Sequence, residues 1–190
     1  MEKSPNEFRL LVVDDNPAIY QDIVKILASE EDDKEIEHKE LLAKLFGSNP
    51  KPTKTNLHYT IDSAFQGADA VKLVQNSIEN DKPYALAFID ILMPPGMDGV
   101  ETTKSIWKID PDIQVVICTA YGDYSWNELT NQLGINDNFL ILKKPFDSIE
   151  VRQLACCLAQ KWYLNKQVGH TFDRLHREIE KKSSELENWT

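Results

Sequence analysis

The sequence predicts an α/β fold, a five-stranded parallel sheet doubly wound as (βα)5 with an extended C-terminal helix, and three observations carry that prediction. Short apolar runs alternate with longer segments whose apolar residues recur every three or four positions. Runs such as ALAFID and IQVVICT lack the in-out alternation of a half-exposed strand and read as strands buried on both faces. Several runs stop abruptly in acidic, hydroxyl or basic residues, at the edge where an open parallel sheet places its ligands.

The first strand is FRLLVV at Phe8 to Val13, and it ends in Asp14-Asp15-Asn16-Pro17, with the proline suited to the first turn of a helix. That helix is expected from about Pro17 to Ser29, with Ile19, Ile23, Ile26 and Leu27 on one face. The remaining strands are expected at about His58 to Ser63, Ala85 to Asp90, Ile113 to Thr119 and Phe139 to Lys143. Helices follow near Gly67 to Asn80, Asp98 to Lys108, Tyr124 to Leu133 and from Ser148 onward. Right-handed crossovers distribute such helices over both faces of the sheet.

Two segments depart from a compact core. Residues 30–57 read as an insertion that opens with Glu30, Glu31, Asp32 and Asp33. It continues as a helix with Leu41, Leu42, Leu45 and Phe46 on one side and breaks at Gly47 to Pro52; a solvated insertion and a partner-docking element are both open. The last helix carries apolar residues at Val151, Leu154, Leu158, Val168, Phe172, Leu175, Ile179 and Leu186, the three-four steps of a coiled-coil seam. Lys161, Asn165 and Lys182 interrupt the seam, and Gly169 costs about 1 kcal/mol relative to Ala in a helix interior. A helix ending near Trp162 is the alternative. If continuous, the helix is a rod of about 60 Å whose stripe needs a partner. The expected division is a core over 1–147, with its insertion, and a last helix over 148–190 that continues as a coiled coil.

Composition narrows the function classes. With 42% hydrophobic and 27% charged residues, the chain reads as a globular protein. No apolar stretch approaches the roughly 20 residues that cross a bilayer, and the polar start from Met1 to Glu7 is unlike a signal sequence, so a cytoplasmic location is expected. The net charge of -10 repels phosphate backbones and argues against direct nucleic-acid binding. The three cysteines, two of them the neighbours Cys156 and Cys157, lack CxxC or Cys/His spacing, so reduced buried thiols and no zinc are expected.

The residues that end the strands carry the chemistry. They are Asp14 and Asp15, then Asp90, then Thr119, then Lys143-Lys144 before Pro145. Each alone is commonplace as a helix cap, a backbone-bonded hydroxyl or a solvated lysine. Gathered at one edge, three carboxylates raise each other's proton affinity, and a hard dication with oxygen ligands relieves that repulsion, which points to Mg2+. A carboxylate beside such an ion can attack phosphorus and become an aspartyl phosphate, with Asp90 placed as the nucleophile.

In this setting LLVVDDNP, FIDILMPPGMDG, ICTAYGD and LKKPF, in that order, resemble the four motifs of the receiver domains of two-component response regulators. The resemblance covers roughly Phe8 to Trp162 apart from the insertion, and it implies a flavodoxin-like strand order 2-1-3-4-5. It further implies Mg2+ bound directly by Asp15 and Asp90, through water by Asp14, and by the backbone carbonyl of Leu92. Asp90 is then the phosphoacceptor, Thr119 moves to bond the phosphoryl group, and Lys144 pairs with it, aimed by a Lys-Pro bond that the family typically makes cis. Also implied are a phosphodonor that is a histidine kinase or histidine phosphotransfer protein, and a switch in the preferences of the fourth-helix, fifth-strand, fifth-helix face. The last helix then reads as a signalling helix, with homodimerisation through it and through that face. No enzyme activity is expected beyond self-phosphorylation and autodephosphorylation, and any effector enzyme would lie past residue 190.

Three features depart from the family pattern. PPGMDG is one residue longer than the common loop after the phosphoacceptor. The usual switch-aromatic position holds Ile141, leaving Phe139 on the same strand face, Tyr121, or no aromatic as alternatives. Two lysines precede Pro145, and strand alternation lets only one reach the site, Lys144 by its place next to the proline. Two rival functions are a receiver-like dimerisation scaffold that accepts no phosphate and a haloacid dehalogenase-type phosphohydrolase. The hydrolase needs a second acid where this chain has Leu92, and the scaffold leaves five competent site residues without a role.

Overall fold

The computed structural model of the chain describes residues 7–28, 57–120 and 125–187. The insertion up to residue 56, Ser29, Tyr121 and Tyr124 lie outside the described residues. Among the described residues ten elements alternate: β1 (Glu7–Val13), α1 (Pro17–Ala28), β2 (His58–Ala64), α2 (Gly67–Glu79) and β3 (Leu86–Asp90) come first. They are followed by α3 (Gly99–Ile109), β4 (Gln114–Thr119), α4 (Trp126–Leu133), β5 (Phe139–Lys143) and α5 (Ser148–Glu187). The strands form one sheet in the order β2-β1-β3-β4-β5, and every pairing is parallel. Most element ends lie within two residues of the sequence reading.

Strand alternation builds two cores, one on each face of the sheet. Leu11, Val13, Ala87, Ile89, Val115 and Ile117 pack against Ala70 and Val74 of α2, Val100 and Ile106 of α3, and Leu129 of α4. Phe8, Leu10, Val12, Phe88, Val116 and Leu142 pack against Ile23 of α1 and Val151, Ala155 and Leu158 of α5. The central strands β3 and β4 are buried along their whole length, which is why their sequences run apolar without alternation. On the edge strand β2, Asp62 pairs with Arg9 of β1 and accepts a 2.7 Å hydrogen bond from the Tyr84 hydroxyl.

The helix ends follow local chemistry. Asp98 caps α3 by accepting from the Glu101 amide at 2.8 Å, and Ser125 with Glu128 forms a capping box on α4. α5 continues unbroken past Trp162, so the shorter alternative is not adopted. Gly169 faces open space, and no packing requires a glycine there.

α5 has two halves. Val151, Ala155, Leu158 and Ala159 are buried, whereas Leu164, Val168, Phe172, Leu175 and Ile179 are exposed. Where the helix leaves the sheet, Lys161 pairs with Asp137 at 3.0 Å and Lys166 with Asp112 at 2.6 Å. Among the described residues no helix is long and apolar enough to cross a membrane. The expectation of three buried thiols needs correction: Cys118 is buried, Cys156 half-buried and Cys157 exposed. Residues on a helix point about 100° apart, and the core face of α5 is made by Val151, Ala155, Leu158 and Ala159, which turns Cys157 towards solvent.

Two stability measurements test this account. Leu158→Ala should cost about 2–5 kcal/mol in chemical denaturation through the cavity it leaves. Phe172→Ala, at concentrations where the chain is monomeric, should stay within about 0.5 kcal/mol. The second concerns Asp110, a buried residue whose Oδ2 has no hydrogen-bond partner and whose carboxyl burial pushes above its ordinary 3.8. An acid raised in the folded state favours folding below its ordinary value, and that contribution is lost as pH rises through the shifted one. Asp110→Asn should therefore raise the thermal midpoint at pH 7, with the gain shrinking as the pH falls towards 3.8.

Candidate functional site

The carboxyl ends of β1, β3, β4 and the residue after β5 meet at one edge of the sheet. Asp14 follows β1, where its amide donates to Ala64 O at 3.1 Å and its Oδ1 accepts from the Asn16 amide at 2.9 Å. Asp14 is 3% exposed, while the adjacent Asp15 faces solvent. Asp90 ends β3 and is 9% exposed. One carboxylate oxygen from each of Asp14, Asp15 and Asp90 lies within 4.8 Å of the others.

Lys144 enters this group from beyond β5. Its Nζ lies 2.7 Å from Asp14 Oδ2 and 2.8 Å from Asp90 Oδ1, and the Lys144–Pro145 bond is cis. Its amide donates to Thr119 O at 2.8 Å, which ties the lysine to the end of β4. Lys143 is exposed. Thr119 itself is buried, with its hydroxyl donating to Ala120 O at 3.1 Å. Leu92, two residues past Asp90, turns its side chain to solvent.

Burial raises the Asp90 carboxyl above the ordinary carboxylate range, the hydrogen bond and charge of Lys144 pull it down, and the Asp14 charge pushes it up again. Burial alone would lower Lys144, but its bonds to Asp14 and Asp90, with their two charges, outweigh that and raise it. Cys118, under the site on β4, is pushed up to about 12 by complete burial, which leaves an inert thiol there.

The donor set fits a hard divalent cation. Three carboxylates and one ammonium leave two uncompensated negative charges, and all the ligand atoms on offer are oxygens. The sequence reading placed Lys144 at this edge; the double bridge to Asp14 and Asp90 had no sequence signal, because Asp14 and Lys144 are 130 residues apart. Phe139, one of the three switch alternatives, is 3% exposed and has Trp107 and Trp126 as ring neighbours, with centroids 6.4 Å and 6.0 Å away. Ile141 is half-buried on the same face.

A family model described as the response regulator receiver domain matches residues 51–155. The chain is 35% identical over 88 residues to "Sporulation initiation phosphotransferase F" of Bacillus subtilis (strain 168), spanning 46% of this chain and 66% of that protein. It is 28% identical over 88 residues to "Response regulator receiver protein CpdR" of Brucella abortus (strain 2308), with the same two shares, so it spans just under two thirds of each curated relative. Among solved structures, the receiver domain of the Francisella response regulator 1452 is similar with a TM-score of 0.52 at 23% identity, covering 81% of this chain and 98% of that one. A CheY-like response regulator receiver domain protein from Methanospirillum hungatei JF-1 gives 0.56 at 18% identity, covering 83% and 98%. Both likenesses bear on the fold. Membership follows from the family model, which takes in more than half of the residues: the chain belongs to the response regulator receiver domain family.

Proposed function

We propose that the chain is a phosphorylation-dependent switch in which Asp90 accepts a phosphoryl group from a histidine kinase or histidine phosphotransfer protein. The observation that carries this reading is the seating of Lys144 between Asp14 and Asp90 at the edge where Thr119 ends the neighbouring strand. Asp14, Asp15, Asp90 and the Leu92 carbonyl would hold Mg2+, which when bound supplies positive charge to the phosphoryl oxygens. An Asp90 carboxylate oxygen attacks phosphorus, and the bond to the donor breaks with its electron pair leaving on the donor imidazole. Lys144 then exchanges its bond to Asp90 for one to the transferred oxygens, and the Thr119 hydroxyl turns from Ala120 O to the same group.

The absence of an acid at Leu92 weighs against the phosphohydrolase reading. The seam on α5, exposed at Val168, Phe172, Leu175 and Ile179, favours homodimerisation through that helix. Trp126, Leu140 and Ile149, exposed on the α4-β5-α5 face, are available to assist. The burial of Phe139 beside Trp107 and Trp126 supports a switch that does not use a Phe139 rotamer.

Incubation with Mg2+ and acetyl phosphate should label the chain with an acid-stable, hydroxylamine-labile phosphate that Asp90→Asn abolishes. Lys144→Ala should slow labelling about 100-fold or more, by removing the charge that meets the phosphoryl oxygens. No label on the wild type would favour the scaffold reading, and steady turnover of phosphoesters the hydrolase. Sedimentation should show a dimer at high micromolar concentration that Phe172→Glu dissociates; a wild-type monomer with and without a phosphate mimic removes the dimer.

A further inference from the structure

The junction between β2 and α2 touches the loop that carries the phosphoacceptor. Gly67 opens α2 and is buried, and a Cβ there would lie 2.0 Å from Thr102 Oγ1 and 3.0 Å from Met97 Cβ. Thr102 cannot easily yield, because it is completely buried and its hydroxyl donates to Asp98 O at 2.7 Å. Asp98 in turn caps α3, and the amide of the next residue, Gly99, donates to Ile91 O at 2.9 Å. A Cβ on Gly99 would lie 2.3 Å from the Asp90 carbonyl oxygen. A chain of close contacts thus runs from Gly67 through Thr102, Asp98 and Gly99 to the backbone of Asp90 and Ile91.

Gln66 adds a second contact. It occupies the N-cap position of α2 but makes no side-chain cap bond there. Its Oε1 instead lies 2.7 Å from where Gly96 would carry a Cβ, beside the Pro94-Pro95-Gly96 stretch of the lengthened loop. On its other side the junction is fixed to the acid pair, since Ala64 at the end of β2 accepts from the Asp14 amide at 3.1 Å.

We propose that Gly67 is a positioning residue for the cation site. By lacking a side chain it sets how closely the β2–α2 junction approaches residues 91–98, and so fixes the spacing between the Asp14-Asp15 pair and the Asp90-Leu92 segment. The inference rests on the Mg2+ reading above and adds a residue that touches neither ion nor phosphate. Buttresses of this kind act because groups behind metal ligands hold them in place, and their loss typically costs 10–100-fold in affinity.

Titration calorimetry of Mg2+ into the full chain, without a phosphodonor, tests it, with circular dichroism to establish folding. Gly67→Ala should bind Mg2+ about tenfold more weakly. Thr102→Ala in the Gly67→Ala background removes the 2.0 Å encounter and should bring affinity back to within about threefold of wild type. A folded Gly67→Ala chain with wild-type affinity, or a double variant as weak as the single one, overturns the proposal. If Gly67→Ala does not fold, Gln66→Ala, which adds no atoms, should weaken Mg2+ binding about threefold, and wild-type affinity in that folded variant overturns it. A wild-type chain that binds no Mg2+ overturns the metal reading itself and is distinguishable from both.

Discussion

The ammonium group of Lys144, 2.7 Å from Asp14 and 2.8 Å from Asp90, offsets part of the repulsion among three carboxylates that the fold forces together. Two unit charges about 4 Å apart interact by roughly 4 kcal/mol at an effective dielectric constant of 20. Three acid-acid repulsions against two close lysine contacts leave the pocket short of positive charge. Burial first, with that shortage added to it through the Asp14 charge, holds the Asp90 carboxyl above its ordinary range even with a lysine on it. The shortage also explains why the pocket suits a dication: the ion supplies the missing charge without displacing the strands that impose the crowding.

The sheet makes the crowding unavoidable. β1 and β3 are adjacent and parallel, so Asp14 and Asp90 leave their strands at the same edge. β4 lies beside β3, and the Lys144 amide on Thr119 O extends the β4–β5 pairing by one residue beyond the strand itself. Each acid or base of the site stands at or just past the end of its strand. The charges therefore need no special segment to deliver them; they collect where the strands stop.

This is also why so much could be read from the sequence. Apolar runs that stop in Asp14-Asp15, Asp90, Thr119 and Lys144 are local signals, and the parallel sheet converts four local signals into one place. What could not be read depends on neighbours far along the chain or on which way a helix face turns. Gly67 meets Thr102 because α2 packs beside α3, and nothing near either residue announces the contact. Cys157 fell on the solvent side of α5, a rotation that composition cannot register.

α5 shows the same limit of local patterning from the opposite direction. Its apolar stripe recurs along the helix despite the breaks at Lys161, Asn165 and Lys182, yet the first part of the stripe is consumed by the sheet and the rest projects into solvent. The changeover falls at Lys161 to Lys166, where the helix is gripped by Asp137 and Asp112. Those two acids stand just before β5 and β4, the strands that lead at their far ends to Lys144 and Thr119. One pair of strands therefore ends in Thr119 and Lys144 on one edge and has the acids that hold the departing helix on the other. A shift of either strand along its axis must be absorbed at both edges, because close-packed cores transmit small displacements instead of dissipating them.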